Sequence, residues 1–281
     1  MIHLDIKKIK AIDVHSHFGE WNTSITLKEK YVLCEGDVGY LLENMSFASI
    51  ACSINSHLYG LFPRGGGDAF LGNQMGLAII EKNPSLYLWA VVNPLQPETF
   101  AQAKDLLEHE RCLGIKVHPE EHRYPLKTYG AGLYEFAAKN HAVIEGHSGE
   151  EWSMPEDYGD FANHYPEVTT IASHLGCSYD GDFRHQIRAI QNNLHHNLFT
   201  DTSSAKSINC NILEIAVSEI GSDRILFGTD SGCYFSPSQR ARVDHSRISD
   251  TDKENILFRN ALGIFPQLEK RYNEIKTEAT E

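Results

Sequence analysis

No apolar run in these 281 residues approaches the ~20 that a membrane-crossing helix needs. Basic charge is also scarce: 25 Lys+Arg stand against 38 Asp+Glu, a net charge of −13. Phosphate polyanions and anionic lipid select basic surfaces, so neither nucleic acid nor a membrane surface is an expected partner. The six cysteines (Cys34, Cys52, Cys112, Cys177, Cys210, Cys233) form no C-x-x-C pair, which excludes a zinc-finger framework and suggests no disulfide pattern. Neither G-x-x-x-x-G-K-[ST] nor G-x-G-x-x-G occurs. Pro63-Arg64-Gly65-Gly66-Gly67 therefore reads as a flexible loop rather than a phosphate cradle. Met1-Ile2-His3-Leu4-Asp5 mixes charges and leads into no apolar stretch. No secretory leader is expected there, and a reduced, cytoplasmic setting is.

What is present is alternation. Short apolar runs occur at Ala11–His15, Ala48–Ile54, Tyr87–Val92, Leu113–Val117, Ala142–Glu145, Thr169–Ala172, Leu198–Thr200 and Arg224–Phe227. Several are dense in Val and Ile, as parallel strands covered on both faces are. Amphipathic stretches separate them. Phe183, Ile187, Ile190 and Leu194 share one helical face, as do Ile208, Ile212 and Ile215. A helix starting near Pro97-Glu98 carries acids early and Arg111 late, as the helix dipole favours. Lys253–Leu262 predicts a closing helix, and Glu269–Glu281 a charged, frayed end. Eight βα units in this length predict a (β/α)8 TIM barrel of ~250 residues. It forms a single domain over 1–281, with its core at 11–266 and a charged tail at 267–281.

In such a barrel the reactive groups stand at the C-terminal ends of the strands. Strand one ends in His15-Ser16-His17. Residues two apart on a strand share a face, so two imidazoles can reach one divalent ion. A chain with fifteen histidines produces such a pair by chance about once, so the pair alone decides nothing. The other strand ends change that: Lys116-Val117-His118, Glu145-Gly146-His147, Ser173-His174 and Thr229-Asp230 supply metal-competent side chains after four further strands.

These segments, "AIDVHSHFG", "GIKVHP", "VIEGHSG", "TTIASHLG", "RILFGTDSG" and "ENILFRNALGIF", resemble the amidohydrolase superfamily over Ala11 to Phe265. Within it they are similar to the amidohydrolase-2 branch of metal-dependent TIM-barrel hydrolases and decarboxylases. The resemblance implies that His15, His17, His147 and Asp230 ligate one divalent ion, Zn²⁺ before Mn²⁺. It implies that His174 stands beside the ion as a polarising or proton-transferring group. Asp230, touching both the ion and a bound water, would act with His174 as the catalytic pair.

Lys116 and His118 are expected to face an anionic or polar small-molecule substrate, with Arg64 and Trp152 contributing from the loops. In binuclear relatives a lysine on strand four is carboxylated and bridges two metals; here one metal has its ligands without it. Glu145 is expected to orient His147. His118-Pro119-Glu120-Glu121-His122 matches H-x-x-E-H, but a metalloprotease needs both histidines on one helix face, and this stretch leaves a strand through proline. The leading expectation is a hydrolase that cleaves a C–O or C–N bond, such as a lactone or cyclic amide. A nonoxidative decarboxylase of an aromatic or unsaturated acid is the alternative, and a catalytically silent metal-binding barrel the third reading. A homodimer is also expected.

Overall fold

Eight strands form one parallel sheet in sequence order: β1 (Ala11–Phe18), β2 (Ile50–His57), β3 (Leu86–Val91), β4 (Cys112–Val117), β5 (Val143–Gly146), β6 (Thr170–Ala172), β7 (Leu198–Asp201) and β8 (Ile225–Leu226). All eight expected strands are found. The computed structural model describes residues 9–19, 36–63, 66–204, 206 and 209–278. The sheet closes on itself through the chain around β8. Val14 N–H donates to Phe227 O at 2.9 Å, and Thr229 and Asp230 N–H both donate to His15 O, at 3.1 and 2.7 Å. Helices cover the outside, giving a single-domain (β/α)8 barrel. Among the described residues no helix is long and apolar enough to cross a membrane.

Two apolar cores follow from this closure. One lies between strands and helices and joins Leu88, Ile115, Val117 and Ile144 to helical residues such as Leu133 and Ala137. The other fills the barrel with Ile12, Val14, Ile54, Trp89, Ile171 and Leu226, and Phe265, Leu268 and Tyr272 plug it from the C-terminal segment. Each such buried side chain contributes ~1.5–3 kcal/mol over leaving it in water. Every residue of β1 to β4 is buried, which explains why these runs read as continuous rather than alternating.

A bulge in β1 sets the histidines. Asp13 pairs with Ser53 and Ser16 with Asn55, so Val14 and His15 together oppose Ile54 alone. Strict alternation would send Val14 and His15 to opposite faces; the bulge lets Val14 join the interior core while His15 faces the cavity above it. The carbonyl of Val14 accepts the indole N–H of the fully buried Trp89 at 2.8 Å.

Several boundaries differ from the sequence reading. β2 runs on through Asn55-Ser56-His57, polar residues that are nonetheless buried. The helix after Pro97 is Glu98–Leu106, with Lys104 in its last turn; Arg111 lies past it and hydrogen-bonds the carbonyls of Ile80 and Asn83. The helix His185–Gln191 is shorter than the apolar spacing suggested, leaving Phe183 and Leu194 exposed beyond its ends. Ile208 lies outside the described residues, and Ile212–Ile220 forms a helix. The tail is not frayed: Glu269–Glu278 is helical, and Tyr272 is buried with its hydroxyl donating to Lys10 O at 3.0 Å.

Candidate active site

The strand ends converge on a cavity of about 190 Å³ at the C-terminal mouth of the barrel. His15, His17, Lys116, His118, His147, His174 and Asp230 all line it, with Phe62 and Tyr234 at its walls. Seven strand-end residues singled out from the sequence are thus brought together.

The seam between β1 and the chain after β8 positions the first group. Asp13, fully buried, accepts the N–H of His15 at 3.1 Å and both the N–H and hydroxyl of Thr229, at 3.0 and 2.5 Å. Burial pushes its carboxyl up to about 7 against the pull of those donors. Gly228 leaves the space: a Cβ there would meet His15, Asp201 and Ser203 at 3.0 to 3.2 Å. Asp230 and His174 both take left-handed backbone conformations, φ +52° and +70°, uncommon for side-chain-bearing residues and frequent where function fixes geometry.

His17 Nε2 lies 2.8 Å from Asp230 Oδ1, and His17 Nδ1 pairs with Ser56 Oγ at 2.9 Å. His15 Nε2 is 3.8 Å from the same Asp230 oxygen and 3.0 Å from Lys116 Nζ. Burial raises the Asp230 carboxyl, but its bond to His17 and the nearby His15 ring outweigh it, so the group is held well below the usual carboxylate range. Burial and the nearby His147 and His15 push His174 far down; burial with His147 and Lys116 does the same to His118.

Lys116 is ion-paired with Glu145, which also accepts the hydroxyl of Ser173 and lies 3.1 Å from His15 Nδ1. Glu145 therefore braces His15 and Lys116, not His147 as expected from the sequence. His147 hydrogen-bonds His174 at 2.9 Å and Glu150 at 3.3 Å, and its ring stacks on His118 at 4.0 Å and 11°. His118 accepts the N–H of Glu121 and caps the single turn Pro119–His122. His122 points away to Gly60 O, so H-x-x-E-H forms no paired site. Trp152 does not line the cavity; it is 37% exposed, its N–H donating to Glu120 at 2.7 Å. Arg64 lies outside the described residues.

Among the described residues, two groups have donor atoms all within 4.8 Å of one another: His15, His17 and Asp230, and His15, His174 and Asp201. Two buried imidazoles and a carboxylate form a donor set suited to a divalent ion. His147 belongs to neither group, although it faces the same cavity. Asp201 and Ser203 were not singled out from the sequence. Asp201 ends β7 in Thr200-Asp201-Thr202-Ser203-Ser204, a run that reads as a polar loop; the only available signal was its place after a strand.

A model of the amidohydrolase family matches residues 12–267. No curated protein matches the chain. Solved structures do. A dihydroxybenzoic acid decarboxylase from Polaromonas, with bound manganese and the inhibitor 2-nitroresorcinol, shares 15% identity at TM-score 0.71, covering 92% of this chain and 97% of that one. 2,6-Dihydroxybenzoate decarboxylase from Rhizobium shares 14% at TM-score 0.69, covering 92% and 98%. 5-Carboxyvanillate decarboxylase from Sphingomonas paucimobilis shares 11% at TM-score 0.68, covering 92% and 99%. At these identities the likeness establishes the barrel.

Proposed function

From the premise that the chain belongs to the amidohydrolase family, we propose that it is a metal-dependent, nonoxidative decarboxylase of a small hydroxylated aromatic or unsaturated acid. The observation that carries this reading is the cavity. Its ~190 Å³ is below the ~300–1,000 Å³ of pockets for drug-sized ligands, and suits one ring. Its walls are flat: the stacked rings of His118 and His147, with Phe62 and Tyr234 beside them. The structural relatives named above are decarboxylases of such acids. This reading takes the place of the lactone or amide hydrolase expected from the sequence.

His15, His17 and Asp230 would hold the divalent ion, with His147 at the same rim. When bound, the ion supplies a Lewis acid for oxygens of the substrate and for the charge that develops there; manganese in the relatives makes Mn²⁺ as apt as Zn²⁺. Lys116, steadied by Glu145, faces the substrate's negative charge. The ring slot orients the acid so that the bond between ring carbon and carboxylate breaks and carbon dioxide leaves. The electron pair stays on the carbon, which takes a proton relayed from solvent through Nε2 of His174: the Nε2 lone pair accepts it and passes it on, and the ring returns to its neutral form.

The test is a panel of hydroxybenzoates, sugar lactones and cyclic amides assayed with Mn²⁺- or Zn²⁺-replete enzyme. Carbon dioxide release without solvent ¹⁸O in the product supports the reading. Solvent ¹⁸O entering a lactone or amide product, with no carboxylate lost from any acid, overturns it in favour of hydrolysis.

A further inference from the structure

The ring orientation of His15 follows from the hydrogens its neighbours can offer. Lys116 Nζ lies 3.0 Å from His15 Nε2, and an ammonium has donors only. Nε2 therefore presents its lone pair, and the ring proton resides on Nδ1. That nitrogen faces acceptors: Asp201 Oδ2 at 3.0 Å, Glu145 Oε1 at 3.1 Å and Ser203 Oγ at 3.1 Å. Glu145 is already engaged by Lys116 and Ser173. Among the described residues Asp201 is paired with no lysine or arginine, and it is fully buried.

The second oxygen of Asp201 serves another ring. Oδ1 accepts the N–H of His174 at 3.1 Å, the N–H of Ser203 at 2.9 Å and the Ser203 hydroxyl. With its hydrogen committed to Asp201, Ser203 Oγ can only accept, so His174 Nδ1, 2.7 Å away, is the donor. The Nε2 of His174 is then also a lone-pair nitrogen. One carboxylate at the end of β7 thus sets the tautomer of rings from β1 and β6. Asp201 itself does not line the cavity, and its Oδ1 is saturated with donors.

We propose that Asp201, acting directly on His15 and through Ser203 on His174, is the positioning residue that turns the Nε2 lone pairs of both rings into the cavity. The proposal rests on the reading that a divalent ion binds at His15, His17 and Asp230. Partners of this kind orient a ligating imidazole, and their loss lowers metal affinity by ~10–100-fold.

Long-range nitrogen–proton correlation spectra of the ¹⁵N-labelled, metal-free protein read the tautomers directly. His15, assigned by the loss of its signals in His15→Gln, is expected in the Nδ1–H form. Asp201→Asn places an amide where two acceptor oxygens stood. It is expected to populate the Nε2–H form of His15 and to weaken Mn²⁺ binding ~10–100-fold, followed by the EPR signal of free Mn²⁺. Ser203→Ala keeps Asp201 and its contact with His15 Nδ1; it removes the relay to His174 and one of the three acceptors facing His15. The His15 pattern and Mn²⁺ affinity should hold, while kcat falls with KM unchanged. His15 found as Nε2–H in the unmodified protein overturns the proposal even if Asp201→Asn does not fold. So does an Asp201→Asn protein with unaltered tautomer and Mn²⁺ affinity. An unmodified protein that shows the Nδ1–H form yet binds neither Mn²⁺ nor Zn²⁺ overturns the metal-dependent reading instead, and the spectra still support control of the tautomer by Asp201.

Discussion

Replacing Trp89 with phenylalanine isolates the device that lets β1 carry its two histidines. The indole N–H is the donor to the Val14 carbonyl in the bulge, at 2.8 Å, and both residues are fully buried. Trp89→Phe leaves that carbonyl without a donor, at ~1–3 kcal/mol for a buried polar group losing its partner. The missing part of the indole packs against Gly114 and edge-on to Phe265, whose ring centroid is 5.6 Å away. An unfilled space of that size adds ~1 kcal/mol. The sum is about 3 kcal/mol. A chain of 281 residues has an unfolding entropy of about 0.6 kcal/mol/K, so the melting temperature should fall by about 5 °C. Because His15 is the other residue of the bulge, metal affinity should fall with it. Differential scanning calorimetry of the metal-free protein and Mn²⁺ titration give the two numbers. A melting temperature within 1 °C of the unmodified protein would refute the reasoning, since the bulge would then not depend on the indole.

His17→Ala should strip most of the bound Mn²⁺ or Zn²⁺ measured by elemental analysis, whereas His195→Ala, on an exposed residue, should retain it; equal metal content in the two would remove His17 from the centre. His122 and His57 are each pushed down to about 4 by burial. A histidine whose folded value lies below its ordinary 6.5 adds stability that is complete above pH 6.5 and lost as pH falls toward 4, about 3 kcal/mol for the nearly fully buried His122. Urea midpoints should therefore drop steeply between pH 6.5 and 4, and His122→Gln should flatten part of that slope; a parallel slope would show that His122 is not the source. Gly114→Ala would set a methyl 2.4 Å from Val143 O and 2.5 Å from the Trp89 ring. It should cost ~1–3 kcal/mol or more by overpacking, read as a lowered urea midpoint; a midpoint equal to the unmodified protein's would show that the wall yields freely there.

The strands were legible because burial on both faces leaves runs such as Leu88-Trp89-Ala90-Val91 with no polar interruption. The strand ends His15, His17, Lys116, His147, His174 and Asp230 were legible because reactive side chains recur at one topological position. Asp201, Ser203, Ser56 and the bracing role of Glu145 were not. These are buried polar residues whose worth lies in partners from other strands, Ser203 and His15 being 188 positions apart. In a linear reading Asn55-Ser56-His57 and Asp201-Thr202-Ser203 look like solvated turns. Trp152 misled in the opposite sense: a large aromatic near a strand end suggested a substrate wall, but its backbone carbonyl and N–H fasten Leu126 and Glu120, and the residue does not line the cavity. The helix Glu269–Glu278 looked too charged to pack, yet Tyr272 and Ile275 suffice to dock it under the barrel.

The seam between β1 and β8 makes the centre a late event in the life of the chain. Asp13 and Thr229 meet across 216 positions, and β8 itself is only two residues long. Closing so large a loop carries a high entropic cost, and little apolar surface in β8 rewards it before the seam forms. During synthesis the two imidazoles of β1 emerge long before the carboxylate of Asp230 and have no third donor. Chelation and ring closure are therefore coupled: an ion that bridges His15, His17 and Asp230 ties the first strand to the last, and its binding energy counts toward keeping the barrel shut. Withdrawal of the ion should release this seam first, and amide exchange should quicken at Val14, His17, Thr229 and Asp230 ahead of β3 and β4.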